Sequence, residues 1–150
     1  MPSTYTALDY HIIYSTKDRR NQITPDIRQR LYDYIGGIIK EQRGQMRNAG
    51  GVEDHIQILA RLSPTIAVAD VLRVIKTNSS RWVHETFPNH QDFAWQTGYA
   101  AFTVSRSNVE AVRHYIANQE EHHKTMTFKE ELLALLRKHD VEFDERYLWD

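Results

Sequence analysis

The stretch VEDHIQIL, Val52 to Leu59, is the part of the chain around which the rest arranges itself. Side chains two apart on a strand point to the same side of a sheet. His55 and Gln57 therefore share one face, while Ile56, Ile58, Ala60 and Leu62 share the other. That pattern is either ordinary strand amphipathicity or half of a metal site whose other parts lie elsewhere in the sequence. Just upstream, Gln45 to Ala49 followed by Gly50-Gly51 reads as a second short strand and a hairpin turn. Ser63-Pro64 closes the His55 strand on its far side.

Working outward, Tyr5 to Ser15 is rich in β-branched and aromatic residues and predicts a first strand. Thr24 ahead of Pro25 is a helix-start signal, and Ile27, Leu31, Ile35, Ile38 and Ile39 give that helix one apolar side to about Arg43, where Gly44 ends it. From Ile66 to Glu85, the spacing of Val68, Val71, Leu72, Ile75, Trp82 and Val83 predicts a second long helix. FAWQTGYAAFTVSR, Phe93 to Arg106, has strand character interrupted by Gly98. Ser107 with Glu110 forms a capping-box pattern that predicts a helix to about His122, and Thr127 with Glu130 repeats it before a leucine-rich helix ending near His139. The order is βαββαβ with two further C-terminal helices. It suits an α+β ferredoxin-like antiparallel sheet with helices packed on it.

The chain has 150 residues, 41% hydrophobic and 26% charged, which fits one domain with a real core. We divide it into a core of about 4–124 and a C-terminal helix with an acidic tail over about 125–150. That tail holds four Lys/Arg against seven Asp/Glu, so a net charge of −1 conceals a mildly basic body. No apolar run approaches the roughly 20 residues of a membrane helix, and no secretory pattern opens the chain, so the expectation is a cytoplasmic protein with no membrane partner. Without cysteine, disulfides and thiolate metal sites are excluded. Any bound metal must use His, carboxylate, amide oxygen or water, which points to harder ions.

HYIANQEEHH, His114 to His123, offers a second constellation. Tyr115 and Gln119 are four apart and share a helix face, while Val112 and Ile116 form an adjacent apolar stripe. Taken alone, such a pair is ordinarily structural, and His122 and His123 read as surface histidines. If this helix crosses the open face of the sheet, His55, Gln57 and Gln119 converge on one divalent ion with Tyr115 close by. One imidazole and two amide oxygens, completed by water and phosphate, suit Mg²⁺ or Mn²⁺ better than zinc. Glu53, Asp54 and Glu120 are possible auxiliary ligands, with hairpin and helix-surface roles the alternative for each.

Over nearly its whole length the chain resembles the single-tyrosine HUH transposases of small insertion sequences, the IS200-like family. The resemblance is carried by YHIIYSTKDRR (Tyr10–Arg20), DHIQIL (Asp54–Leu59), IKTNSSRW (Ile75–Trp82), FAWQTGYAAFTVS (Phe93–Ser105), YIANQEEHH (Tyr115–His123) and ERYLWD (Glu145–Asp150). It implies a ferredoxin-like fold of the HUH endonuclease type, a homodimer, and cutting and rejoining of single-stranded DNA at hairpin-bearing element ends through a 5′-phosphotyrosine. It places the nucleophile at Tyr115 and the metal ligands at His55, Gln57 and Gln119. Where the family usually has a second histidine this chain has Gln57, an HUQ variant that leaves metal preference and rate open. The family also implies active sites shared between protomers.

Single-strand binding joins a cationic track to stacking aromatics. The candidates here are Arg19, Arg20, Arg73, Lys76 and Arg81, with Trp95 and Tyr99 as rings. Two alternatives stand beside the enzyme. One is a domesticated, non-cutting binder of hairpin DNA or RNA on the same fold; the other is a metal-dependent hydrolase that uses activated water and makes no protein adduct.

Overall fold

Along β1 (Asp9–Ser15), Ile12 and Tyr14 alternate with His11 and Ile13, so the strand has two distinct faces to cover. The computed structural model, which describes residues 3–150, covers both. β2 (Gln45–Val52) and β3 (His55–Arg61) form a hairpin, β3 pairs with β1, and β1 pairs with β4 (Ala100–Val104). Every pair is antiparallel and the order is β2-β3-β1-β4, the ferredoxin-like arrangement expected from the element order.

One face takes Ile12, Tyr14, Ile56, Ile58 and Ala60, and packs against α1 (Pro25–Glu41) and α2 (Val68–Thr86). The helices meet it with Ile27, Leu31, Ile35 and Ile39, and with Val71, Leu72, Ile75 and Val83. Each fully buried Ile or Leu contributes roughly 1.5–3 kcal/mol by leaving water, so this layer supplies most of the core. The opposite face carries His11, Ile13, His55, Gln57 and Leu59. It is covered by α3 (Val109–Ala117), the short α4 (Gln119–His122) and α5 (Phe128–Lys138).

Four expectations are corrected. The first strand begins at Asp9 rather than Tyr5. Gly50-Gly51 is not the hairpin turn: both glycines lie inside β2, Val52 pairs with His55, and the turn is Glu53-Asp54. The glycines serve packing instead, because a Cβ on Gly50 would stand 2.2 Å from the Ile116 carbonyl oxygen at the end of α3. Gly51 has a φ of 148°, a backbone region that side-chain-bearing residues rarely adopt.

The third correction is to the helix expected from Ser107 to His122. Arg106–Asn108 is a 3₁₀ turn, Ser107 makes no capping bond, and the helix bends at Asn118 (φ −99°, ψ 21°). There the Asn118 N–H is shared between the carbonyls of His114 and Tyr115 at 3.1 and 3.3 Å, and the bend carries Gln119 inward. The Thr127 cap is as expected, its hydroxyl accepting from the Glu130 N–H at 3.1 Å.

Fourth, only Ala100–Val104 of the Phe93–Arg106 segment is strand. Trp95 makes a single bridge to Thr16, and Gln96 spends its side chain on the Ser15 N–H and the Asp150 carbonyl, so the chain leaves the ladder there.

Candidate active site

β3 delivers His55 and Gln57 to the α3–α5 face, both fully buried, and β1 delivers His11 beside them. The tight turn before β3 places Asp54 so that its Oδ1 accepts from His55 Nδ1 at 2.9 Å. A carboxylate there fixes the tautomer and turns the Nε2 lone pair into the protein. Nε2 then faces two more acceptors, Gln119 Oε1 at 3.1 Å and Glu131 Oε1 at 3.8 Å. His123 Nε2 stands 3.0 Å from each of those same oxygens.

Electron-rich atoms crowded in this way call for a proton or a cation between them. Cis ligands of an octahedral ion with bonds near 2.1 Å lie about 3 Å apart, close to the spacing found here. The residues therefore fit a divalent ion. Gln57 has the opposite polarity: its Nε2 donates to Gln119 Oε1 and Glu131 Oε1, both at 2.9 Å, and its Oε1 accepts from His11 Nε2 at 2.7 Å. Turning the carboxamide over, matched by the other tautomer of His11, presents the oxygen to the cluster.

Tyr115 reaches the cluster from α3. Its hydroxyl donates to Glu131 Oε2 and stands 3.4 Å from His122 Nε2, while its ring meets His11 and His122 edge-on. Burial, followed by the bond to Glu131 and its negative charge, pushes the Tyr115 phenol above its usual range. Burial also pushes Glu131 up. Bonds from His123, Tyr115, Gln119 and Gln57 outweigh it and hold the carboxyl down at about 2. For His123, burial works to lower the value, but the bond and charge of Glu131 prevail and raise it.

The structure thus brings together His55, Gln57, Gln119 and Tyr115, all within one chain. Their convergence depended on a helix crossing the open face of the sheet, and α3 does so through the Gly50 slot. Glu53 and Glu120 lie outside the cluster, paired with Arg28 at 3.1 and 2.8 Å, and Asp54 orients His55. Two participants, His11 and Glu131, escaped the sequence reading, and His123, expected at the surface, is instead largely buried with Nε2 turned into the cluster. His11 has a visible signal, since it shares with Ile13 the strand face opposite Ile12. Glu131 falls three after Phe128 and four before Leu135, so it interrupts the apolar stripe of α5 with a carboxylate.

The cationic candidates are scattered. Arg73 and Arg81, on α2, lie on the other side of the sheet and pair with Asp70 and Asn78. Arg20 faces Asp18 at 3.6 Å. Arg19 stacks 4.4 Å over the Trp149 ring, which meets Phe128, and Phe128 lies flat on His55 with ring centres 3.7 Å apart. Trp95 is not available for stacking: it is buried against Tyr14 and Phe93 and donates to Ser79 Oγ at 2.9 Å.

Lys76 donates to the carbonyls of Gln96, Thr97 and Gly98, and burial pulls its pKa down to about 8. It works as a staple for that loop. Lys76→Met is therefore expected to cost about 1–3 kcal/mol in chemical denaturation, because three carbonyls lose their donor. An unchanged stability with weakened DNA binding would make Lys76 a phosphate contact instead.

Residues 4–119 match the family model described as Transposase IS200 like, and the chain belongs to that family. It is 23% identical over 117 residues to the ISDra2 transposase TnpA of Deinococcus radiodurans, an alignment covering 75% of this chain and 84% of that protein. Among solved structures, a transposase from Deinococcus radiodurans R1 superposes with a TM-score of 0.63 at 22% identity, covering 79% of this chain and 95% of the other. A REP-associated tyrosine transposase bound to a REP hairpin gives 0.53 at 14% identity, covering 77% and 67%. These likenesses establish the shared fold. No helix among the described residues is long and apolar enough to cross a membrane.

Proposed function

We propose that this transposase cuts and rejoins single-stranded DNA at the hairpin-bearing ends of a mobile element, with Tyr115 as nucleophile and Mg²⁺ or Mn²⁺ held by His55, Gln57 and Gln119. The observation that carries the reading is that His55, Gln57 and Gln119 bond to one another beside Glu131, whose other oxygen accepts from the Tyr115 hydroxyl. The solved relative that carries a REP hairpin supports hairpin DNA as the partner.

In this scheme the phenolic oxygen of Tyr115 attacks the phosphorus in line as its proton departs. The bond to the 3′ oxygen breaks, and that oxygen leaves as a 3′-hydroxyl after taking up a proton. The new 5′-phosphotyrosine retains the energy of the phosphodiester, so joining to another 3′-hydroxyl requires no ATP. A divalent ion at this site supplies positive charge to the scissile phosphate. Asp54 holds the His55 ring in the tautomer a ligand needs, and His11 sets which end of the Gln57 amide faces inward.

Incubating the protein and either ion with a palindrome-bearing oligonucleotide from the DNA flanking its gene tests the reading. Denaturing electrophoresis should show a nicked strand and a protein–DNA adduct. Hairpin binding with no adduct under several ions supports the second reading, a non-cutting binder. That reading is favoured by one contact, the Gln57 nitrogen rather than its oxygen turned toward the cluster.

The homodimer is likewise part of this proposal. Because the Tyr115 hydroxyl bonds to Glu131 of its own chain, which also bonds to Gln57 and Gln119, each protomer is expected to carry a complete site. Mixing Tyr115→Phe with His55→Ala protein should then restore no adduct. Recovery approaching a quarter of the parental activity, one working site in each mixed dimer, would show instead that the tyrosine helix is exchanged between protomers.

A further inference from the structure

The three proposed ligands, His55, Gln57 and Gln119, are all uncharged. A divalent ion held by them alone would sit in a buried pocket with no counter-charge from the protein, an unfavourable arrangement. The missing charge is present on α5. Glu131 is 1% exposed, and its Oε1 lies 3.0 Å from His123 Nε2 and 3.8 Å from His55 Nε2. One ligand atom from each of these residues falls within 4.8 Å of the others. The Gln57 amide nitrogen sits among them, 2.9 Å from Glu131 Oε1, 2.9 Å from Gln119 Oε1 and 3.4 Å from His55 Nε2. It donates to acceptors that a cation would otherwise bridge.

No Lys or Arg among the described residues pairs with Glu131; its ionic partners are the three histidines His55, His122 and His123. The helix that bears it buries Phe128, Leu132 and Leu136 around it, so the carboxylate is held in an apolar stripe where its charge is costly unless it is paired. That placement makes sense if the carboxylate has a ligand.

We propose that Glu131 and His123 are ligands of the divalent ion, making the centre a two-histidine, one-carboxylate set with Gln119 as its amide oxygen. The inference rests on the metal-dependent reading above and changes its composition. Both residues lie beyond the span 4–119 matched by the family model, so the C-terminal helix α5 is part of the metal site rather than an appendage. The second carboxylate oxygen, Oε2, accepts from the Tyr115 hydroxyl and from Gln119 Nε2 at 3.1 Å, so one side chain ties the nucleophile to the ligands. Two imidazoles and a carboxylate favour Mn²⁺ over Mg²⁺, which prefers an all-oxygen shell.

The test uses the DNA-free protein and Mn²⁺ alone, with binding read from loss of the free aquo-Mn²⁺ paramagnetic resonance signal. Glu131→Gln, His123→Gln and His55→Ala are each expected to weaken binding at least about tenfold, with Glu131→Asp intermediate. A second measurement needs no variant: pulsed resonance on the parent loaded with Mn²⁺ and labelled at histidine nitrogen should count two coupled imidazoles. One imidazole, or parental affinity in both Gln variants alongside loss in His55→Ala, overturns the inference and leaves the neutral ligand set. Failure of the parent to take up Mn²⁺ overturns this inference and leaves the catalytic reading to Mg²⁺. Binding through Glu131 without adduct formation on hairpin DNA upholds this inference while the catalytic reading fails.

Discussion

Tyr115→Phe is expected to remove the covalent protein–DNA adduct entirely and to lower nicking by on the order of 10³-fold or more, because the only atom lost is the oxygen proposed to attack. The variant keeps the ring, so the edge-on contacts with His11 and His122 persist and α3 stays seated on the sheet. Glu131 loses one donor but retains His123, Gln57 and Gln119, so folding should change by only about 1 kcal/mol. Hairpin affinity, read by gel shift, should stay within a few-fold of the parent. An adduct of parental yield in this variant would mean that another side chain attacks.

The second large effect is expected at a residue with no side chain of its own, directly across the β2–β3 ladder from Gln57. Gly50→Ala places a methyl 2.2 Å from the Ile116 carbonyl oxygen, a backbone atom that has no alternative rotamer. Ordinary contact requires α3 to lift from β2 by about an ångström, and overpacking of this kind costs about 1–3 kcal/mol. Tyr115 precedes Ile116 directly and moves with it. A displacement of that size is enough to reduce nicking about 100-fold. Gly37→Ala is the matched control: nothing lies within 4 Å of its added Cβ, and an alanine inside α1 should stabilise by roughly 0.5–1 kcal/mol with parental nicking. Equal activity in the two variants would show that the helix tolerates the shift.

Much of the fold was legible because its elements are amphipathic with regular periods. Ile27, Leu31, Ile35 and Ile38 in α1, and Val71, Leu72 and Ile75 in α2, mark the buried sides by spacing alone. The glycine pair misled because the same residues serve tight turns and close approaches equally well, and only the neighbour at Gly50, a helix more than sixty residues later, tells the two apart. The bend at Asn118 was hidden for a similar reason. Asn118 carries no proline-like signal, and the inward turn of Gln119 is stabilised by partners on β3 and α5.

The sequence by itself determined which residues share a face: His55 with Gln57 on a strand, Tyr115 with Gln119 on a helix, Phe128 with Leu132 on another. Those relations follow from backbone periodicity, which is local and carried by residue order. Only the tertiary structure decided that the three faces look toward one another, that Asp54 and His11 set the orientation of His55 and Gln57, and that Glu131 stands between Tyr115 and the side chains of Gln57 and Gln119. The physical reason is that hydrogen bonds and charge pairs act over about 3 Å in space. Partners such as Gln57 and Glu131, separated by 74 positions in the chain, meet there through packing that no local pattern encodes.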